Sequence, residues 1–184
     1  MNAPGVLPAA LAVWLVSAGA ALSDEAPTGR FTATAEVSTP QGTRRMGFAI
    51  AVSRPLSRAD ALPYREALEK GGQQSLLALL RESDRGRFQL GAIEYPINLI
   101  VAEPVSDGYR YLVVTARNFR IEEVNEGRSS MDFPFAVAVF DVPEFGSGEG
   151  RIYPQAALSI DSDGRVQAQA FEDRTGTLKD VRRR

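Results

Sequence analysis

Carboxylates are the side chains of this sequence best suited to catalysis, because it contains no cysteine and no histidine. Two Asp or Glu side chains about 5 to 10 Å apart can catalyse hydrolysis of a glycosidic bond without cysteine or histidine. Glu94 with Glu103 or Asp132 could supply such an acid and base. Glu122 and Glu123 make a poor pair, since neighbours in a strand point to opposite faces. A carboxylate-dependent hydrolase is therefore one hypothesis for the function.

The missing cysteines and histidines also narrow the chemistry that the chain can perform. A protein without cysteine has no disulfide framework and no thiol nucleophile. A protein without histidine has no Ser-His-Asp triad and no typical zinc site, since zinc prefers nitrogen and sulfur ligands. We therefore predict no metal site and no cofactor.

Two short segments have some features of ligand-binding loops. Asp161 and Asp163 alternate as in a calcium-binding loop, but Val166 stands where that loop requires glycine, and a hairpin turn explains the segment more simply. The segment 145–150 has three alternate glycines but lacks the Lys and Ser or Thr that a phosphate-binding loop needs, so we expect a flexible surface loop there.

A polar set on two predicted strands, the first of which alternates from Ile93 to Val101, is the most informative feature of the sequence. Asp107-Gly108 predicts a hairpin turn that pairs Val101 with Val114 and Leu99 with Ala116, which makes one face apolar. The other face mixes polar and apolar side chains. Its polar members are the candidate site residues Glu94, Asn98, Tyr111 and Arg117. We expect this face to line a cavity or a partner-binding surface, or to be covered by the helices or a loop.

The strands that position these residues belong to a predicted antiparallel sheet. Apolar residues alternate over 31–37 and 46–52, and a turn at Gln41-Gly42 pairs Val37 with Met46 and Phe31 with Val52.

The segment that follows this hairpin is helical in pattern. Ser57 or Asp60 is a candidate N-cap, and Gly71-Gly72 divides the segment, so we predict two short helices near 60–70 and 73–82 with a kink between them.

The rest of the chain reads as strands. The segment 133–142 is apolar on both sides and predicts a central strand with Pro134 at its start or edge. A three-residue loop at 162–164 pairs Ile160 with Val166. The polar tail 173–184 is expected to fray. The predicted fold class is α+β: a curved antiparallel sheet or partly open barrel of about seven strands, with a short two-helix segment after the first hairpin.

The N-terminus has the pattern of a signal peptide. Residues 6–22 are apolar and uncharged, and small residues follow at the spacing of a cleavage site. We predict a signal peptide over 1–23 and a single domain over 24–184, exported to the periplasm or secreted, with no membrane span after cleavage. The net charge of −2 gives no field that favours nucleic acid.

Three functions remain open from the sequence. The leading hypothesis is a non-enzymatic envelope or secreted module that binds a protein partner or a small apolar ligand through the mixed face near Asn98, Tyr111 and Arg117. The alternatives are the carboxylate-dependent hydrolase and a purely structural surface protein.

Overall fold

A computed structural model of the chain describes residues 26–39, 42–119, 132–162, 164–171 and 174–184. The predicted signal peptide lies outside the described residues, as do Gln41, Glu122, Glu123 and Asp163.

The described chain contains one helix and ten strands. The strands are β1 (Gly29–Thr39), β2 (Gly42–Val52), β3 (Gly86–Leu90), β4 (Ile93–Ile97), β5 (Leu99–Val105), β6 (Gly108–Thr115), β7 (Phe135–Pro143), β8 (Gly148–Ile160), β9 (Val166–Ala170) and β10 (Gly176–Arg183). The helix α1 (Leu62–Arg81) lies between β2 and β3.

All ten strands belong to one antiparallel sheet in the order β4-β3-β2-β1-β10-β8-β7-β6-β5, with β9 paired to β8. The sheet curls into a half-barrel. The prediction of a curved antiparallel sheet with a helical insertion after the first hairpin is confirmed, whereas the counts of seven strands and two helices are wrong. Among the described residues, no helix combines the length and the apolar character that a membrane span requires.

Three strands account for the difference in number. The five-residue β3 was not recognised, and the predicted strand over 93–101 is interrupted at Asn98 and divides into β4 and β5. The third is β10, which occupies the tail that was expected to fray and pairs with β1 on one side and β8 on the other. Leu178 and Val181 of β10 are buried, but an irregularity at Asp180 (φ 55°) places them three residues apart and hides the period of two.

Two predicted hairpins have the correct faces and a register that is wrong by two residues. Phe31 pairs with Ile50 rather than Val52, and Leu99 pairs with Val114 rather than Ala116. A shift of two residues leaves every side chain on its face, so alternation cannot detect it. Gly108 is not in the turn: it begins β6, where a Cβ would collide with the carbonyl oxygen of Val142.

The later strands agree better with their prediction. The β8–β9 hairpin has the predicted pairing of Ile160 with Val166. β7 is a central strand, buried from Phe135 to Phe140, and Pro134 lies just before it as expected. The segment 145–150 is not wholly a loop, because β8 begins at Gly148.

Aromatic rings fill the concave side of the half-barrel. Phe48 on β2 lies 6.1 Å from Phe140 on β7, although three strands separate them in the sheet, so the two rings meet across the interior. Phe119 packs 4.6 Å from Phe88 and 4.3 Å from Tyr95. The interior is therefore a packed core.

The helix α1 covers the convex side over β5 to β9. Its backbone leaves the helical conformation at Gly72 (φ 64°, ψ −159°), so the predicted kink is present within a single helix. Neither predicted N-cap holds that position: the N-cap is Ala61, and Ser57 instead accepts a hydrogen bond from the backbone N–H of Asp60 in the preceding turn.

Candidate functional site

A groove opens between α1 and the convex face of the sheet, mainly along the first half of the helix, and we call it the α1 groove. Its volume is about 600 Å³, including the space at its mouth. Because this figure includes open solvent, it describes the extent of the groove and not the size of an enclosed cavity.

The floor of the α1 groove consists of two cross-strand pairs on β5 and β6. Leu99 faces Val114, and Val101 faces Leu112. Alternation along both strands directs these four side chains to the convex face, while their neighbours in sequence enter the aromatic core.

The walls continue the apolar surface. Leu158 of β8 and Val166 of β9 form one side, and Tyr64, Leu68 and Leu76 of α1 form the other. Each of these residues belongs to or packs on the apolar cluster of the convex face. A ligand in the groove would therefore contact an almost continuous apolar surface.

The mouth carries two basic residues. Arg58, in the turn before α1, and Arg65, in its first turns, both line the groove. The guanidinium of Arg65 extends over the β8–β9 turn, where a Cβ added to Gly164 would lie 2.8 Å from its Nη2 atom. Leu62 stands beside them and is 47% exposed.

A charged row crosses the convex face beyond the Arg58 end of the groove. Arg110 donates to both carboxylate oxygens of Asp141, at 2.7 and 2.8 Å, and it faces Glu103 across the β5–β6 ladder. Partial burial raises the pKa of Glu103, while the charges of Arg58 and Arg110 oppose that rise. The net effect of the fold is to raise the pKa of Glu103, which lies just beyond the groove.

Two of the predicted site residues lie within the packing of the sheet. Asn98 is 7% exposed; its Nδ2 donates to the carbonyl of Ser83 at 2.9 Å, and its Oδ1 accepts from the N–H of Ala116 at 2.7 Å. Tyr111 is fully buried in the aromatic core, and its hydroxyl donates to the carbonyl of Pro27 at 2.7 Å.

The other two predicted site residues, Glu94 and Arg117, are on the surface. Glu94 is exposed and lies 3.7 Å from the guanidinium of Arg87, and Arg117 is exposed just after β6. Because Tyr111 points into the interior, the four residues do not share one accessible face.

The carboxylates proposed as an acid and base pair are also dispersed. Glu103 is level with Asp141 near the end of β7, whereas Asp132 precedes the start of that strand. Glu94, the common member of both predicted pairs, lies on β4 at the opposite end of the sheet order from Glu103 on β5, and it is exposed beside Arg87.

The two loop-like segments have structural explanations. The carboxylate of Asp161 accepts hydrogen bonds from the N–H of Arg165 at 2.8 Å and from Nε2 of Gln167 at 2.9 Å, both within the hairpin. Gly148 and Gly150 lie against the carbonyls of Asp141 and Val139, so close that β8 could not pair with β7 if either carried a Cβ.

The sequence alone does not predict the α1 groove or the place of Arg58 and Arg65 in it. The sequence does predict the apolar face that includes Leu99, Val101 and Val114. Nothing in the local pattern indicates that Arg58 and Arg65 line the edge of the groove. Family models, curated proteins and solved structures were compared with the chain, and none matched.

Proposed function

We propose that this protein is an exported, non-enzymatic binding protein that holds a small apolar ligand in the α1 groove. The observation that carries the proposal is the apolar lining of the groove beneath an open mouth. Apolar, concave sites with a few polar groups at one end are the usual form of small-molecule sites. The proposal keeps the ligand class of the leading hypothesis and moves the site from the mixed face to the convex face.

The packed interior supports this choice of site. Tyr111 stacks on Phe140 with ring centroids 5.4 Å apart, and Phe31 lies 5.0 Å from Tyr111. A ligand on the concave side would have to displace these rings. A ligand in the α1 groove would instead contact Leu62 and Val166, which are partly exposed.

Export is a separate part of the proposal and rests on the apolar segment 6–22. Mass spectrometry of the protein secreted or extracted after expression of the full chain tests it. We expect an N-terminus between residues 21 and 24. An intact N-terminus retained in the cytoplasm would contradict export while leaving the binding proposal intact.

Binding is tested with N-phenyl-1-naphthylamine, a neutral fluorophore whose emission rises in apolar surroundings. We expect saturable binding to one site, weakened at least about fivefold by Leu62→Glu, because a carboxylate at the mouth must lose water when the ligand enters. Ile93→Glu is the matched control, since Ile93 is an apolar side chain of similar exposure (56%) on the β3–β4 hairpin. Its affinity should equal that of the unmodified protein.

Two results would contradict the proposal. Absence of saturable binding, in a protein that unfolds cooperatively, would favour a purely structural surface protein. Equal loss in Leu62→Glu and Ile93→Glu would mean that the probe binds outside the groove.

A further inference from the structure

We infer that the ligand of the α1 groove is a single-chain amphiphile with an anionic head group, such as a long-chain carboxylate or phosphate ester. This inference rests on the proposed function and adds the chemical class of the ligand. It follows from the charges at the mouth and from the shape of the apolar part.

The charge at the mouth has one sign. Among the residues that line the groove, Arg58 and Arg65 are the ones that carry a formal charge, and both are basic. Arg58 lies in the turn before α1, and Arg65 lies in its first turns with its guanidinium over Gly164 of the β8–β9 turn. Guanidinium groups bind carboxylates and phosphates through paired N–H donors.

The nearest carboxylate does not reverse this preference. Glu103 is two residues beyond Val101 along β5 and is not part of the groove lining. It faces Arg110, whose guanidinium also binds Asp141. The charge of Arg58 also acts on Glu103, so the preference for an anion rests mainly on Arg65, whose guanidinium extends over the β8–β9 turn.

The apolar part fits one chain. The floor of Leu99, Val101, Leu112 and Val114 runs along a single pair of strands, and Leu68 and Leu76 of α1 cover it. The floor residues are each less than 10% exposed, so the tail lies between the helix and the sheet.

The experiment uses the protein purified after expression of the full chain. Four probes with the same tail displace N-phenyl-1-naphthylamine from it: dodecanoate, dodecyl phosphate, 1-dodecanol and dodecyltrimethylammonium. At pH 7 we expect the two anionic probes to bind about tenfold more tightly than the alcohol, and the cationic probe to bind more weakly than the alcohol. Two partly exposed ion pairs together account for a factor of that size.

The double variant Arg58→Gln/Arg65→Gln locates the effect. It should reduce the affinity for dodecanoate to that of 1-dodecanol and leave the affinity for 1-dodecanol unchanged. Arg81→Gln, an exposed arginine in the last turn of the same helix, is the control and should retain the full preference for anions. The anionic head group could belong to a free amphiphile or to a membrane lipid. If the ligand is a free amphiphile, the protein should not sediment with phosphatidylglycerol vesicles.

The outcomes separate this inference from the proposed function. If 1-dodecanol binds and the anionic probes bind no better, or if the double variant keeps their advantage, the inference fails and the groove remains an apolar site. If no probe binds, the proposed function fails as well. A dimer in solution that Leu62→Glu dissociates, without probe binding, would assign the groove to a second copy of the chain and overturn both.

Discussion

Gly72 allows both halves of α1 to bury their apolar residues on the sheet. Tyr64 and Leu80 belong to the same apolar cluster but are sixteen residues apart. At 3.6 residues per turn an unbroken helix would rotate them about 160° from each other, so one of them would point to solvent. The backbone at Gly72, with φ 64° and ψ −159°, resets the rotation between the two halves.

The substitution Gly72→Ala tests this role. The conformation at Gly72 is open to glycine and almost closed to other residues, so we expect a loss of about 1 to 3 kcal/mol from backbone strain. A Cβ at this position would meet no atom within 4 Å, so the loss contains no steric collision. For a urea m value of about 2 kcal/mol/M, the midpoint should fall by roughly 0.5 to 1.5 M.

Gly47→Ala is the matched control for the same chemical change. Gly47 lies in β2 with open space around it and without a positive φ, so alanine should stabilise the protein by about 0.4 to 1 kcal/mol through the unfolded chain. Both variants are measured by equilibrium urea unfolding, followed by far-ultraviolet circular dichroism. If Gly72→Ala is as stable as Gly47→Ala, the helix tolerates continuity at this point and the argument for the break is wrong.

Three further predictions concern other parts of the fold. Leu178→Ala in β10 should lower the free energy of unfolding by about 2 to 5 kcal/mol, against less than about 0.5 kcal/mol for the exposed Thr177→Ala; similar small losses would mean that β10 frays. Glu36 has its pKa lowered chiefly by its hydrogen bond from Lys179, so the stability from this contact is present above pH 4.5 and is lost as the pH falls through the lowered pKa. In Lys179→Gln the pKa of Glu36, measured by nuclear magnetic resonance, should move back toward 4.5, and an unchanged value would exclude this cause. Asn98→Ala should cost about 1 to 3 kcal/mol by leaving buried backbone groups unpaired while the folded protein keeps its affinity for N-phenyl-1-naphthylamine, and a selective loss of affinity at full stability would return Asn98 to the binding site.

The faces of the strands were predictable because alternation depends on local sequence alone. Phe31, Ile50 and Leu99 all point as their patterns indicated. Register was not predictable in the first two hairpins, since a shift of two residues preserves every face. The β8–β9 hairpin was predicted correctly because its three-residue loop gives the apolar alignment that the structure has.

Features that depend on distant parts of the chain were not predictable. β10 is a central strand because β1 and β8 flank it, yet its own sequence is polar and its period is broken at Asp180. The α1 groove likewise arises where Arg65 approaches the β8–β9 turn, about a hundred residues later in the chain. Local sequence patterns cannot predict such contacts between distant segments of the chain.

The account's central claim is that an apolar ligand binds between α1 and the convex face. The most direct test is a map of backbone amide chemical shifts during titration with dodecanoate. The account predicts that the largest changes cluster in the first half of α1, in β5 and β6 around Val101 and Leu112, and at Val166 of β9. Changes centred on the aromatic core or on the β1–β2 face, or no saturable change at all, would contradict it.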